Sequence, residues 1–118
     1  MRHRKKLKRL GIKSSHRRQL MRNLAAALIV HGSIETTAIK AKALSPFVSR
    51  LITIAKKDET KHAIRKLDMD LHNEEASRKL MTELKKRYEH RSSGFIRLTP
   101  VKYRKGDNAL VTRVELLS

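Results

Sequence analysis

The stretch SHRRQLMRNLAAALIVHGSIETTAIKAK, Ser15 to Lys42, holds the clearest helix of the chain, its punctuation and the hinge into everything that follows. Ser15 is predicted as the N-cap and Gly32 as the residue just past the helix end. Between them Leu20, Leu24, Ala27, Leu28 and His31 recur at helical spacing and define one apolar face. Arg17, Arg18 and Arg22 crowd the first two turns, which charges that end for a polyanion. The run Ala25-Ala26-Ala27 lets another backbone approach closely. Ile34-Glu35-Thr36 reads as a short strand, and Thr36 or Thr37 is expected to cap a second helix.

With 118 residues the chain is expected to form one domain with a single modest core. Lys and Arg number 29 against 11 acids, for a net charge of +18 and a pI near 11.0. Self-repulsion at that charge opposes folding unless a polyanion neutralises it, which makes nucleic acid the leading partner. A membrane surface is the runner-up, but no apolar run approaches the roughly 20 residues that span a bilayer. The basic start is not followed by the apolar segment of a signal peptide. The absence of cysteine removes disulfides, thiol catalysis and zinc knuckles. The charge is also uneven. Ten bases and no acid precede Glu35, whereas residues 58–89 carry eight of each sign. Outside that segment 21 bases face 3 acids, which is the whole excess.

Residues 1–13, MRHRKKLKRLGIK, have too little apolar surface to offset their ordering entropy, and are expected to be a basic arm that folds on binding. Residues 14–118 form the expected globular domain. The second helix is predicted from Thr37 to Lys57, because Ala41, Leu44, Val48, Leu51, Ile52 and Ala55 keep register across Ser45-Pro46. One kinked helix therefore fits better than two, although Ser45-Pro46 would also make a good cap and first position. Lys40, Lys42, Arg50, Lys56 and Lys57 decorate its outer side. A shorter helix follows to about Leu71, with Ile64, Leu67, Met69 and Leu71 as its apolar residues. Asn73 then reads as an N-cap, with Glu74 and Glu75 favoured by the helix dipole. Ala76, Leu80, Leu84 and Tyr88 form the stripe of a fourth helix ending near His90, before Ser92-Ser93-Gly94.

Beyond Gly94 the apolar period changes from helical to alternating. Phe95 to Thr99 is predicted as one strand, with Pro100 marking an edge or a bulge. Lys105-Gly106-Asp107-Asn108 reads as a turn, and Ala109 to Leu117 as a second strand with Leu110, Val114 and Leu116 facing inward. The class is α+β: helix, strand, three helices and two strands, with the helices packed on a small mixed sheet.

Catalytic constellations are missing from the pattern. The six histidines are scattered without metal-ligand spacing, the carboxylate pairs fall where helix caps and solvated faces belong, and no glycine-rich phosphate loop occurs. No metal or other cofactor is expected. Four aromatic residues, Phe47, Tyr88, Phe95 and Tyr103, do not space into a stacking platform on adjacent strands. Phosphate and sugar contact plus shape is the remaining mode. Gly32 leads into a strand, not into the second helix of a helix-turn-helix.

MRHR at the N-terminus, SSHR at 14–17, Arg22-Asn23, IETTAIKAK at 34–42, LITIAK at 51–56 and KGDNA at 105–109 together resemble the bacterial large-subunit ribosomal protein number seventeen family. The match runs through the whole chain in the family's order. Ser49, and Ser92-Ser93-Gly94-Phe95, depart from the family's usual acid and Gly-Gly-Tyr. The resemblance implies a cytoplasmic, non-enzymatic structural subunit of the ribosome that binds large-subunit ribosomal RNA. It also implies contact with neighbouring proteins, protein thirty-two among them, and no homo-oligomer. Charge and resemblance together mark the expected RNA contacts. They are Arg2, His3, Arg4, Lys5, Lys6, Lys8, Arg9 and Lys13 on the arm, and Ser15, His16, Arg17, Arg18, Arg22 and Asn23 on the first helix. Thr36, Thr37, Lys40 and Lys42 follow at the hinge, and Arg97, Lys102, Arg104 and Lys105 on the hairpin. A DNA-architectural protein shares the charge, but should show a dimer seam or a minor-groove wedge. A small ribonuclease should show convergent His, Lys or acidic groups.

Overall fold

Helix α1 spans Ser14–His31 and ends where the sequence punctuates it. Gly32 takes the left-handed conformation at φ 82°, and its N–H donates to the Leu28 carbonyl at 2.7 Å. Such a φ is strained for any residue with a Cβ, which is why glycine stands there. The computed structural model describes residues 10–57 and 59–118. The expectations for residues 1–9 of the arm lie outside the described residues.

The α1 N-terminus differs from expectation. Lys13 occupies the cap position without a side-chain bond, its carbonyl accepts from the Arg17 N–H, and Ser15 lies inside the first turn. The buried face is also rotated. Met21, Ala25, Ala26, Leu28 and Ile29 are buried, Leu20, Leu24 and Ala27 are half-buried, and His31 is exposed. The reason is that α1 is packed by more than one neighbour. The second, third and fourth helices all touch it, so its buried surface is wider than one stripe.

Strand β1 covers Ser33–Thr37, and α2 follows at once over Ala38–Lys57. Proline 46 lies inside α2 without ending it, as the unbroken apolar register predicts. Ala41, Leu44, Val48, Leu51, Ile52 and Ala55 are all completely buried. An interior proline costs about 3 kcal/mol, while each large side chain in that row returns roughly 1.5–3 kcal/mol on burial. Packing wins.

Helix α3, Thr60–Leu71, buries Ala63, Leu67 and Leu71, a strict i, i+4 row. Ile64 and Met69, two of the apolar residues read on this helix, are 42% and 69% exposed because they lie beside that row. Asn73 caps the next helix through its side-chain oxygen, which accepts from the Ala76 N–H at 3.0 Å. This rod, α4, runs as Glu74–Lys79, a π-helical turn at Leu80–Leu84, and a last turn at Lys85–Arg87. Ala76, Leu80, Leu84 and Tyr88 are all buried as expected. In an ideal α-helix each four-residue step drifts by about 40°. The wider π turn takes up that drift and holds the row on one line.

The sheet has the order β1-β3-β2, with β2 at Ile96–Tyr103 and β3 at Leu110–Leu116. Both pairings are antiparallel, so the sheet is not mixed: β3 reverses from β2 through a hairpin and lies antiparallel to β1 as well. Strand β2 continues past Thr99 because it is an edge strand and absorbs Pro100 with a register shift before Lys102. Thr112 joins Val114 on the buried face of β3. Tyr88 fastens the end of α4 to the sheet. Its ring lies 5.0 Å from that of Phe95, and its hydroxyl donates to the Leu117 carbonyl. Lys79 of α4 donates to the Val30 carbonyl in the last turn of α1 at 2.9 Å, where the helix dipole favours a cation.

Candidate nucleic-acid interface

The side of α1 turned away from the sheet meets a second face of α2. Arg17, Arg18, Met21 and Arg22 lie along one wall, and Ala43, Pro46, Phe47 and Arg50 along the other. Each set falls at the three- and four-residue spacing that puts side chains on one helical face. The two walls enclose an open cleft of about 570 Å³, closed at one end by Asp70 of α3. Its floor is apolar and its rim carries four guanidinium groups against one carboxylate.

That carboxylate is engaged. Asp70 lies 3.6 Å from the Arg50 guanidinium, which also sits over the Phe47 ring at 5.5 Å from its centroid. Arg50 is thus oriented from two sides. Arg22 reaches across to α3 and donates to the Met69 carbonyl at 3.3 Å. Its Nε is buried and has no acceptor among the described residues. Arg17 is half-buried, and Arg18 is exposed.

The remaining expected contacts scatter. Lys13, Ser15 and His16 are exposed at the start of α1, and Asn23 accepts from Gln19 at 3.4 Å. Thr36, Thr37 and Lys40 are half-buried at the hinge, while Lys42 is exposed. On the outer sheet face Arg97 lies 3.9 Å from Glu115, and Arg113 lies 3.4 Å from Glu35. Both cations are locally balanced. At the hairpin tip Arg104 grips Asp107 with two bonds of 3.0 and 2.6 Å, and Lys102 and Lys105 are exposed beside it. The Arg104 bonds and the Ala109 N–H hold the Asp107 carboxyl at about 2, below its ordinary range. Asp107 in turn raises the Arg104 pKa. The described residues contain no group of three His, Cys, Asp or Glu able to hold a metal ion. No helix among them is long and apolar enough to cross a membrane.

The family model for ribosomal protein L17 matches residues 20–117. The chain belongs to that family. It is 40% identical to the large ribosomal subunit protein bL17 of Sulfurimonas denitrificans, covering 99% of this chain and 100% of the relative. It is 45% identical to the bL17 of Gemmatimonas aurantiaca, over 99% and 98% respectively. The bL17 of Helicobacter pylori is 38% identical over 99% of this chain and its own full length. None of these likenesses favours the DNA-architectural alternative.

Within this L17-family chain, Arg50 and Phe47 are among the cleft residues that sequence reasoning did not select. Arg50 was expected only to decorate the outside of α2. The available signal was the second row on α2, Ala43, Pro46, Phe47 and Arg50, offset from the core row. Nothing in the sequence states that α1 presents three arginines to it.

Proposed function

We propose that this chain, a structural and non-enzymatic constituent of the large ribosomal subunit, holds ribosomal RNA along the arginine-lined side of α1 and α2. The basic arm, residues 1–13, extends that surface into the RNA, and residues 14–118 form the globular body that docks against it. The observation that carries this reading is the collection of Arg17, Arg18, Arg22 and Arg50 around one cleft with a single, already engaged acid. Phosphate oxygens are the ligands such a rim accepts, and guanidinium forks suit them geometrically. Lys40 and Lys42 at the hinge, and Lys102 and Lys105 at the hairpin, add contacts around it. The charge-balanced α3 and α4 have no net attraction for phosphate. They face solvent or neighbouring large-subunit proteins, with protein thirty-two the one that family resemblance suggests. The protein works in the cytoplasm, inside the ribosome.

Sedimentation tests this. A tagged chain expressed in a bacterium should travel with the large subunit and leave it only in high salt, because released counterions make such binding steeply salt-dependent. Recovery in the soluble fraction at low salt, away from ribosomal particles, would overturn the proposal.

A further inference from the structure

We infer that the cleft between α1 and α2 receives a single unstacked nucleotide of the bound RNA, its base against the Phe47–Arg50 surface and its phosphate on Arg17 and Arg18. The inference rests on the RNA-binding reading above and adds a specific pocket to it. A rim of arginines on a flat surface would need only a phosphate backbone. Here the arginines line an open concavity of about 570 Å³ together with the apolar side chains of Met21, Pro46 and Phe47. That volume lies within the range of small-ligand sites, about 300–1,000 Å³. RNA offers a group of matching chemistry: a flat, polarisable base carried next to a phosphate. Extruded bases are bound on aromatic rings and on guanidinium planes.

Both kinds of surface are already assembled. The Arg50 guanidinium lies 5.5 Å from the Phe47 ring centroid, and Asp70 holds it at 3.6 Å, so little ordering remains for binding. The buried Arg22 Nε is a further donor with no acceptor among the described residues. A protein segment is the competing occupant, but the excess of arginine over acid at the rim favours a polyanion.

Two substitutions separate this pocket from general charge attraction. Phe47→Leu keeps an apolar group of similar bulk without the ring, and Arg50→Lys keeps the charge without the plane. Binding of the full chain to deproteinised large-subunit ribosomal RNA is measured over a salt series. Each variant should bind about tenfold more weakly, since base stacking on a side chain is worth roughly 5- to 150-fold, with the slope of log K against log salt unchanged. Variants that bind like the parent chain would overturn the pocket and leave the RNA-binding reading standing. Parent protein that shows no salt-dependent binding would overturn both. In intact subunits, a photo-crosslinker placed at residue 47 should yield a nucleotide adduct. A crosslink to a ribosomal protein alone would replace the nucleotide with a protein occupant.

Discussion

Two pairs of arginines carry the same formal charge and should behave differently. Arg17 and Arg18 stand at the cleft and form no ion pair with an acid among the described residues, whereas Arg97 and Arg113 lie within 3.9 and 3.4 Å of Glu115 and Glu35. Each phosphate contact adds about 0.7 to 0.9 to the slope of log K against log salt. Arg17→Gln with Arg18→Gln should therefore flatten the slope by roughly 1.4 to 1.8, equivalent to about 25- to 60-fold weaker binding at 0.1 M salt. Arg97→Gln with Arg113→Gln should leave the slope near its original value, because those charges are balanced on the sheet face before RNA arrives. Neither change threatens the fold: exposed ion pairs contribute only about 0–1 kcal/mol, which circular dichroism and thermal melting would verify. The assay is filter binding or fluorescence anisotropy with ribosomal RNA between about 0.1 and 0.5 M salt, where such slopes are measurable. Equal flattening by the two pairs would mean that total charge, and not its placement, governs binding.

Asn73→Ala removes the side-chain acceptor for Ala76 N–H and should cost about 1 kcal/mol, lowering the melting temperature by about 4 °C for a chain of this size. Tyr88→Phe keeps the ring against Phe95 but deletes the bond to Leu117, with an expected loss of about 1 kcal/mol in urea unfolding. Asp107 is held at about 2, so its stabilisation of the hairpin turn is complete above the ordinary carboxylate range and is lost as pH falls through about 2. An NMR titration of its carboxyl carbon should show that midpoint, and Arg104→Gln should move it upward.

How much of this was legible beforehand depends on how far each feature reaches along the chain. The α2 register, the Asn73 cap, the α4 row and the Gly32 terminus are all set by residues within a few positions of one another, and all stand in the structure. The α1 face was misplaced because three other helices share its surface, and a single-stripe rule assumes one neighbour. The π turn left a trace in the uninterrupted four-residue spacing of Ala76, Leu80, Leu84 and Tyr88, which an α-helix alone would wind off its line. Strand β2 outran its expected end because an edge strand tolerates a proline. The pairing Glu35↔Arg113 needs β1 beside β3, which joins segments about eighty residues apart. No local pattern carries that.

Net charge was legible at once, but net charge does not locate a site. The same excess of bases could have been spread thinly or balanced locally. The fold does balance it in several places: Glu35 and Glu115 on the sheet face, Asp107 at the hairpin tip, and Glu74 beside Arg78 on α4. Against that background the α1–α2 cleft stands out for four arginines with one acid among them. Its lining gathers four arginines and a single carboxylate, Asp70, around apolar side chains of α1 and α2. An excess of like charge at one place opposes the folded state, and the fully buried rows beneath it offset that cost. Where a sequence gathers like charges beside an otherwise consistent core, function is the expected cause, and the place of that cluster is a narrower guide to where binding should be tested than the total charge is.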